Sequence, residues 1–172
     1  MTYIIVDTAN TFFRARHVVQ GAAEIKLGMA FHITFNSIKK AWHDFGGTHV
    51  VFCLEGRSWR KDFYKPYKAN RQETRAAMTQ REQDEDKLFW EAFDEFKNFI
   101  VDKTNCTVMR HAELEADDLI AGWVQAHPDA KHVIISTDGD FAQLISSNVS
   151  QYNGVGDLHI THQGTFDAKG KP

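Results

Sequence analysis

Short apolar runs alternate along the chain with longer stretches whose apolar positions recur at helical spacing. Tyr3–Val6 is a compact apolar run closed by Asp7, and its length predicts a buried strand. Between Leu27 and Phe45, the residues Ala30, Ile33, Ile38, Trp42 and Phe45 mark a helix, which Gly46-Gly47 ends. Val50–Leu54 is a second run, closed by Glu55, and residues 56–80 show no core periodicity. Phe89, Phe93, Phe96 and Ile100 then step by 4, 3 and 4, which draws one apolar stripe on a further helix. Thr107–Met109 predicts a short strand, and Leu119, Ile120, Trp123 and Val124 the buried side of another helix. Val133–Ile135 predicts a strand, with a short helix around Phe141–Ile145. The tail reads as short strands separated by the Gly turns NGVGD and HQGT. This alternation predicts an α/β domain with a largely parallel sheet. Residues 161–172, THQGTFDAKGKP, are polar and Gly-bearing and read as a boundary, not as part of a completed fold.

Composition narrows the classes. The chain has 172 residues, 42% hydrophobic and 25% charged, which excludes a disordered chain, a collagen and a coiled-coil rod. Its 20 basic and 23 acidic residues give a net charge of −3, which excludes a uniformly basic nucleic-acid binder but not a locally basic one. Cys53 and Cys106 form no metal-ligand pattern and read as reduced thiols in or near the core. The start MTYIIVDTAN has no apolar signal region and no eighteen-residue apolar stretch exists, so the chain reads as cytosolic with no membrane partner. The nine His show no ligand spacing and read as surface or satisfied core groups; His17, near Arg14 and Arg16, is at most a phosphate contact.

The chemistry lies in where the acids fall. Asp7 closes the first strand and Glu55 the second; Glu115, Asp117 and Asp118 sit between the third strand and its helix; Asp138 and Asp140 follow the fourth. In an open parallel sheet the carboxyl ends of the strands share one edge, where ligands bind. Glu115 and Asp117 can share a target only if Glu115 precedes the helix. Gly139 is expected to let the backbone turn so that Asp138 and Asp140 both face the edge. Crowded carboxylates repel unless cations intervene, and all-oxygen ligands suit Mg²⁺ or Mn²⁺. Two such ions about 3.5–4 Å apart are the usual device for phosphodiester cleavage. Singly, each acid also fits a simpler role: Asp140 before Phe141, or Asp7 near Asn10, can be a helix cap.

The stretch GRSWRKDFYKPYKANR, residues 56–71, sets Arg57, Arg60, Lys61, Lys65, Lys68 and Arg71 against the single Asp62. Trp59, Phe63, Tyr64 and Tyr67 are interleaved with them. Cations neutralise phosphates and aromatic faces stack on unpaired bases, so this reads as a single-strand contact surface. The alternative is a solvated loop whose aromatics pack on the sheet. The acids Glu82 to Glu95 read as the solvated face of the following helix.

Four segments, IIVDTANTFFRAR, FCLEGRSWRKDFYKPYKANR, LEADDLIA and VIISTDGDFAQLI, occur in this order. Through them the chain resembles the N-terminal, PIN-like domain of the structure-specific 5′-nucleases. That family includes flap endonucleases, the 5′-nuclease domain of bacterial DNA polymerase I and phage 5′-exonucleases, the T-even-phage ribonuclease H type among them. The resemblance implies a PIN-like α/β catalytic domain over residues 1–160, with a basic segment and arch or clamp over 55–87. It implies metal roles for Asp7, Glu55, Glu115, Asp117, Asp118, Asp138 and Asp140, Asp118 through water or as a support. It implies that Lys68 and Arg71 contact the scissile phosphate, that Tyr67 stacks on a base, and that Arg75 and Arg81 touch phosphates. Glu55 stands where the family usually has Asp.

The implied activity is Mg²⁺- or Mn²⁺-dependent cleavage of DNA or RNA–DNA hybrids from 5′ ends or flaps, as in primer removal during replication, in a bacterial or phage-infected cell. The family continues into a helix–hairpin–helix-type domain that grips duplex DNA and adds Asp ligands. The chain is therefore expected to be the catalytic part of a longer nuclease or one half of a split enzyme partnered by a separate C-terminal fragment. Two other readings fit the same residues: a PIN-type ribonuclease for single-stranded RNA, and a DNA-binding module that no longer cuts because its second metal site is incomplete.

Overall fold

The computed structural model of the chain describes residues 1–15, 22–54, 80–111, 114–167 and 170. Among these, seven strands form one sheet: β1 (Thr2–Asp7), β2 (His49–Leu54), β3 (Thr107–Arg110), β4 (Lys131–Ile135), β5 (Val149–Asn153), β6 (Leu158–Thr161) and β7 (Gly164–Phe166). Their spatial order is β3-β2-β1-β4-β5-β6-β7. The first five strands of that order pair in parallel and the last two add antiparallel. The helices are α1 (Thr8–Ala15), α2 (Ala23–Asp44), α3 (Gln80–Lys103) and α4 (Ala116–Ala126), and a 3₁₀ helix spans Gly139–Leu144. Every residue of β1 is buried, as expected of a strand covered on both faces.

Strand alternation sorts the core into two layers. Ile4, Val6, Phe52, Leu54, Val133 and Ile135 face α1, α2 and α3. Tyr3, Ile5, Val51, Cys53 and Ile134 face α4 and the 3₁₀ helix. The first layer centres on Phe12, whose ring lies 5.4 Å from Phe93, 5.9 Å from Phe89 and 6.2 Å from Phe96. The stripe Phe89, Phe93, Phe96 and Ile100 is buried, as its spacing predicts.

Helix α2 departs from the expected pattern. Its buried positions are Ala30, Thr34, Ser37 and Ala41, while Trp42 is 42% exposed and Ile33 and Ile38 are half-buried. The small residues let the helix approach the sheet closely. A Cβ on Gly154, in the turn after β5, would sit 1.8 Å from the Ser37 hydroxyl. The buried hydroxyls cost little because each donates within its own helix, Thr34 Oγ1 to the Ala30 carbonyl (2.8 Å) and Ser37 Oγ to that of Ile33 (2.7 Å). The helix ends as expected: Gly46 adopts φ 65°, and the Gly47 N–H reaches back to the Trp42 carbonyl (2.9 Å), closing a Schellman turn.

The sheet also runs past the expected domain edge at residue 160. Thr161 belongs to β6 and Gly164–Phe166 form β7, so residues 161–166 are sheet and not boundary. Helix α3 begins at Gln80, so residues 80–87 of the expected arch segment are its first turns. Cys53 is buried, Cys106 is half-buried, and both are free thiols. No helix among the described residues is long and apolar enough to cross a membrane.

At the amino edge of the sheet His132 is 1% exposed beneath the Tyr3 ring, which also meets the rings of His127, Trp123 and His49. Its Nε2 bonds the His127 carbonyl at 2.9 Å, while Nδ1 has no partner among the described residues, so it is not the fully satisfied core group expected. Burial lowers its pKa below the usual 6.5, partly opposed by that hydrogen bond. A depressed histidine pKa means that protonation favours the unfolded chain. Its share of stability is therefore full above the unfolded pKa and is lost as pH falls toward the folded one. Denaturant unfolding from about pH 8 down to about pH 5 should show a steeper loss of stability for the parent than for His132→Gln, which keeps a neutral donor to His127. Equal slopes would contradict this assignment.

Candidate metal centre

The strand order fixes where chemistry can occur. From β1 the chain adds β2 and β3 on one side, then crosses to add β4 and β5 on the other. The carboxyl ends of β1 and β4 therefore flank the topological switch point, the place in an open α/β sheet where no connection covers the edge. Asp7 ends β1, and residues 136–140 leave β4 beside it.

A buried hydrogen-bond network joins these two strand ends. Asp7 is 5% exposed, and its Oδ2 accepts from Ser136 Oγ at 2.9 Å. The Asp138 N–H in turn donates to Ser136 Oγ at 3.0 Å. Asn10, in the first turn of α1, accepts at Oδ1 from the Thr137 N–H (2.9 Å), Thr137 Oγ1 (3.0 Å) and Ser136 Oγ (3.2 Å). Asp138 then caps the 3₁₀ helix, its Oδ1 accepting from the Asp140 N–H at 2.9 Å. The capping residue is thus Asp138, not Asp140. Gly139 is not among the residues with positive φ, so the turn does not draw on glycine's freedom. Its work is done by the cap and by Ser136.

The second set of acids is at the start of α4. Glu115 has extended backbone angles (φ −84°, ψ 164°) and is the residue before the helix, the condition under which it and Asp117 can share a target. Asp118 Oδ2 accepts from the Glu115 N–H (3.1 Å) as half of a capping box, and Asp117 Oδ1 accepts from the Asp118 N–H (3.0 Å). One ligand oxygen from each of Glu115, Asp117 and Asp118 lies within 4.8 Å of the others. The partial positive charge of the helix N-terminus offsets some of their repulsion. Asp7 lies on the same face of the sheet as α4, because it continues the alternation of Tyr3 and Ile5. Cys53, opposite Asp7 in the β1–β2 register, feels the arrangement: burial and then the Asp7 charge push its thiol up to about 12. Without a metal ion it stays protonated at neutral pH.

The structure thus brings Glu115, Asp117 and Asp118 into one cluster and links Asp7, Asp138 and Asp140 through Ser136 and the 3₁₀ cap. The donor set is carboxylate oxygen throughout, which fits a hard divalent cation and disfavours softer metals. Glu55, Arg57, Arg60, Lys61, Lys65, Tyr67, Lys68, Arg71 and Arg75 lie outside the described residues, as does His17. Arg81 is on the first turn of α3, with its side chain outside the described set. The sequence reading did not single out Ser136 or Gln151, and it took Asn10 only as a marker of capping. The available signal was a polar residue, Ser136 or Gln151, two positions after Ile134 and Val149, on the strand face that packs the apolar layer.

Comparison with known proteins bears on the whole chain. The domain described as 5′-3′ exonuclease, N-terminal resolvase-like, matches residues 2–170. Ribonuclease H of Enterobacteria phage T4 is 34% identical over 143 residues, covering 76% of this chain and 44% of that protein. The flap endonuclease of Escherichia phage T5 is 29% identical over 153 residues, covering 87% and 50%. A crystal structure of the bacteriophage T5 flap endonuclease, in a pseudo-enzyme–product complex with DNA and metal ions, superposes with a TM-score of 0.69 at 26% identity, covering 88% of this chain and 54% of that one. The chain spans about half the length of these relatives.

A carboxylate cluster that binds a divalent cation is stabilised by it. At a hundredfold excess over Kd, Mn²⁺ should contribute about 2.7 kcal/mol, or roughly 5–10 °C in Tm, and a chelator should reverse the shift. Asp117→Asn keeps an acceptor for the Asp118 N–H but removes a charge, and should lose most of the increase. Thermal denaturation with no Mn²⁺ response in the parent would contradict the assignment.

Proposed function

Because this chain belongs to the family of 5′-3′ exonuclease N-terminal, resolvase-like domains, we propose that it is the catalytic domain of a metal-dependent nuclease that hydrolyses phosphodiesters at 5′ ends or 5′ flaps. The observation that carries this reading is the pairing of two acid sets at one sheet edge: Glu115, Asp117 and Asp118 within 4.8 Å of one another, and Asp7 tied to Asp138 through Ser136. Divalent cations, Mg²⁺ in the cell and Mn²⁺ as a substitute, supply a nucleophilic water and charge neutralisation on the phosphate. Glu115, Asp117 and Asp118 are the side chains to hold one ion, with Asp7, Asp138 and Asp140 completing the acidic edge. Glu55 is assigned to the same role from its place in the family pattern.

The remaining roles belong to charge and stacking. Lys68 and Arg71 neutralise the phosphate at the cut, which lowers the barrier by stabilising charge that grows there. Arg57, Arg60, Lys61, Lys65, Arg75 and Arg81 hold the flanking backbone, and Tyr67 stacks on an unpaired base. The protein's own hydrogen bonds keep the acids in place before any ion arrives, so little reorganisation is needed on binding. The substrate is DNA, consistent with the DNA-bound T5 relative, or an RNA–DNA hybrid, in either case with a free 5′ end. Grip on the duplex falls to a further domain or a separate C-terminal fragment, since the relatives are about twice as long. The place of action is the cytoplasm of a bacterial or phage-infected cell.

Cleavage of a labelled 5′-flap duplex and of a plain single-stranded RNA, each with Mg²⁺ and with chelator, tests this reading. The chain should cut the flap substrate only with metal. Asp138→Asn should reduce cutting to background while keeping the fold, because Asn caps the 3₁₀ helix as well as Asp does. Without metal that variant should be at least as stable as the parent in thermal denaturation, since the cap is kept. Metal-dependent cutting of the RNA alone would sink the proposal. Flap binding without cutting, even in Mn²⁺, would make the chain a binding module.

A further inference from the structure

We propose that Gln151 is a positioning residue for the acidic loop 136–140, acting through its buried side-chain amide; the inference rests on the metal-dependent reading of that loop. Gln151 lies in the middle of β5 and is 1% exposed. Its cross-strand neighbours are Ile134 on β4 and Ile160 on β6, so an aliphatic residue would suit the position by packing alone. A glutamine is rarely so buried unless its polar atoms have work to do.

That work is visible in its hydrogen bonds. The β4–β5 ladder ends at the pair Ile135–Tyr152, followed by one more bond from the Ser136 N–H to the Tyr152 carbonyl (3.2 Å). Past that point the loop has no strand partner. Gln151 Nε2 takes over, donating to the carbonyl of Ser136 and to that of Asp138, both at 2.9 Å. Two carbonyl acceptors require the NH₂ end of the amide to face the loop, which fixes its orientation chemically.

Gln151 therefore holds residues 136 and 138 while Asn10 holds Thr137 between them. The same two residues carry the side chains that matter. Ser136 reaches Asp7, and Asp138 forms the cap that places Asp140. If the amide is lost, the buried Ser136 carbonyl and the part-buried Asp138 carbonyl lose this donor, and the loop must shift to find others. Displacements of about 0.5 Å are enough to spoil a ligand set.

The test is calorimetric Mn²⁺ binding to the full chain, which needs no cleavage, with Gln151→Met, Gln151→Asn and Val149→Ala compared with the parent. Met matches the length of Gln without a donor, and Asn keeps the amide one methylene short. Val149→Ala weakens packing in the same strand without touching the loop, and Val149 is 4% exposed. Gln151→Met should weaken Mn²⁺ binding about tenfold to a hundredfold, the usual effect of removing a group that orients metal ligands. Gln151→Asn should fall between Met and parent, and Val149→Ala should stay within about twofold of the parent. Should Gln151→Met fail to fold, the comparison of Gln151→Asn with Val149→Ala decides. Parent-like Mn²⁺ affinity in the Gln151 variants, or an equal loss in Val149→Ala, overturns the positioning role and leaves the nuclease reading intact. A parent chain that binds no Mn²⁺ overturns both.

Discussion

The exit of β1 beside β4 is the constraint on which everything else depends. Strands were added to β1 in both directions, so neither neighbouring connection closes over these two carboxyl ends. Backbone groups leaving a ladder there need partners, and the sequence provides them as side chains. Asn10, Ser136, Asp138 and Gln151 all bond to main-chain atoms of the exit loop or to the cap that follows it. The acids are therefore placed by the same bonds that satisfy the backbone.

This makes the carboxylates part of the fold and at odds with it. Asp7 and Glu115 are each 5% exposed, and burying charge is unfavourable unless it is compensated. The hydroxyl of Ser136 and the N-terminus of α4 contribute to that compensation. A divalent cation bound at this edge, as proposed, would add to that compensation. The Cys53 thiol, buried beside Asp7, is held protonated in the absence of metal, and the Lys40–Asp157–Tyr152 contact (2.7 Å for both bonds) ties the β5–β6 turn to α2.

Much of this was legible in the sequence. The strands β1, β2 and β4 were visible as apolar runs because both faces are covered, with Asp7 closing the first and Glu55 and Asp138 following the other two within three residues. Spacing set the condition that Glu115 must precede its helix to share a target with Asp117, and the helix does start after it. Other features were not legible, for physical reasons. Helix α2 buries Thr34 and Ser37 and leaves Trp42 half-exposed, because the distance between helix and sheet, not hydrophobicity, selected small residues. Residues 161–166 look like a tail but pair as an antiparallel extension, since backbone pairing at a sheet edge needs little apolar pattern. The role of Gln151 is not legible in sequence, because a buried glutamine has meaning only once the carbonyls it meets are known.

Anomalous diffraction from crystals of the chain grown with Mn²⁺ tests the central claim most directly, because it locates the ion without reference to activity. At least one ion is expected in contact with Glu115, Asp117 or Asp118, at about 2.0–2.2 Å from carboxylate oxygen, on the edge shared with Asp7 and Asp138. Full-occupancy ions found only elsewhere, with this edge empty at saturating Mn²⁺, would contradict it.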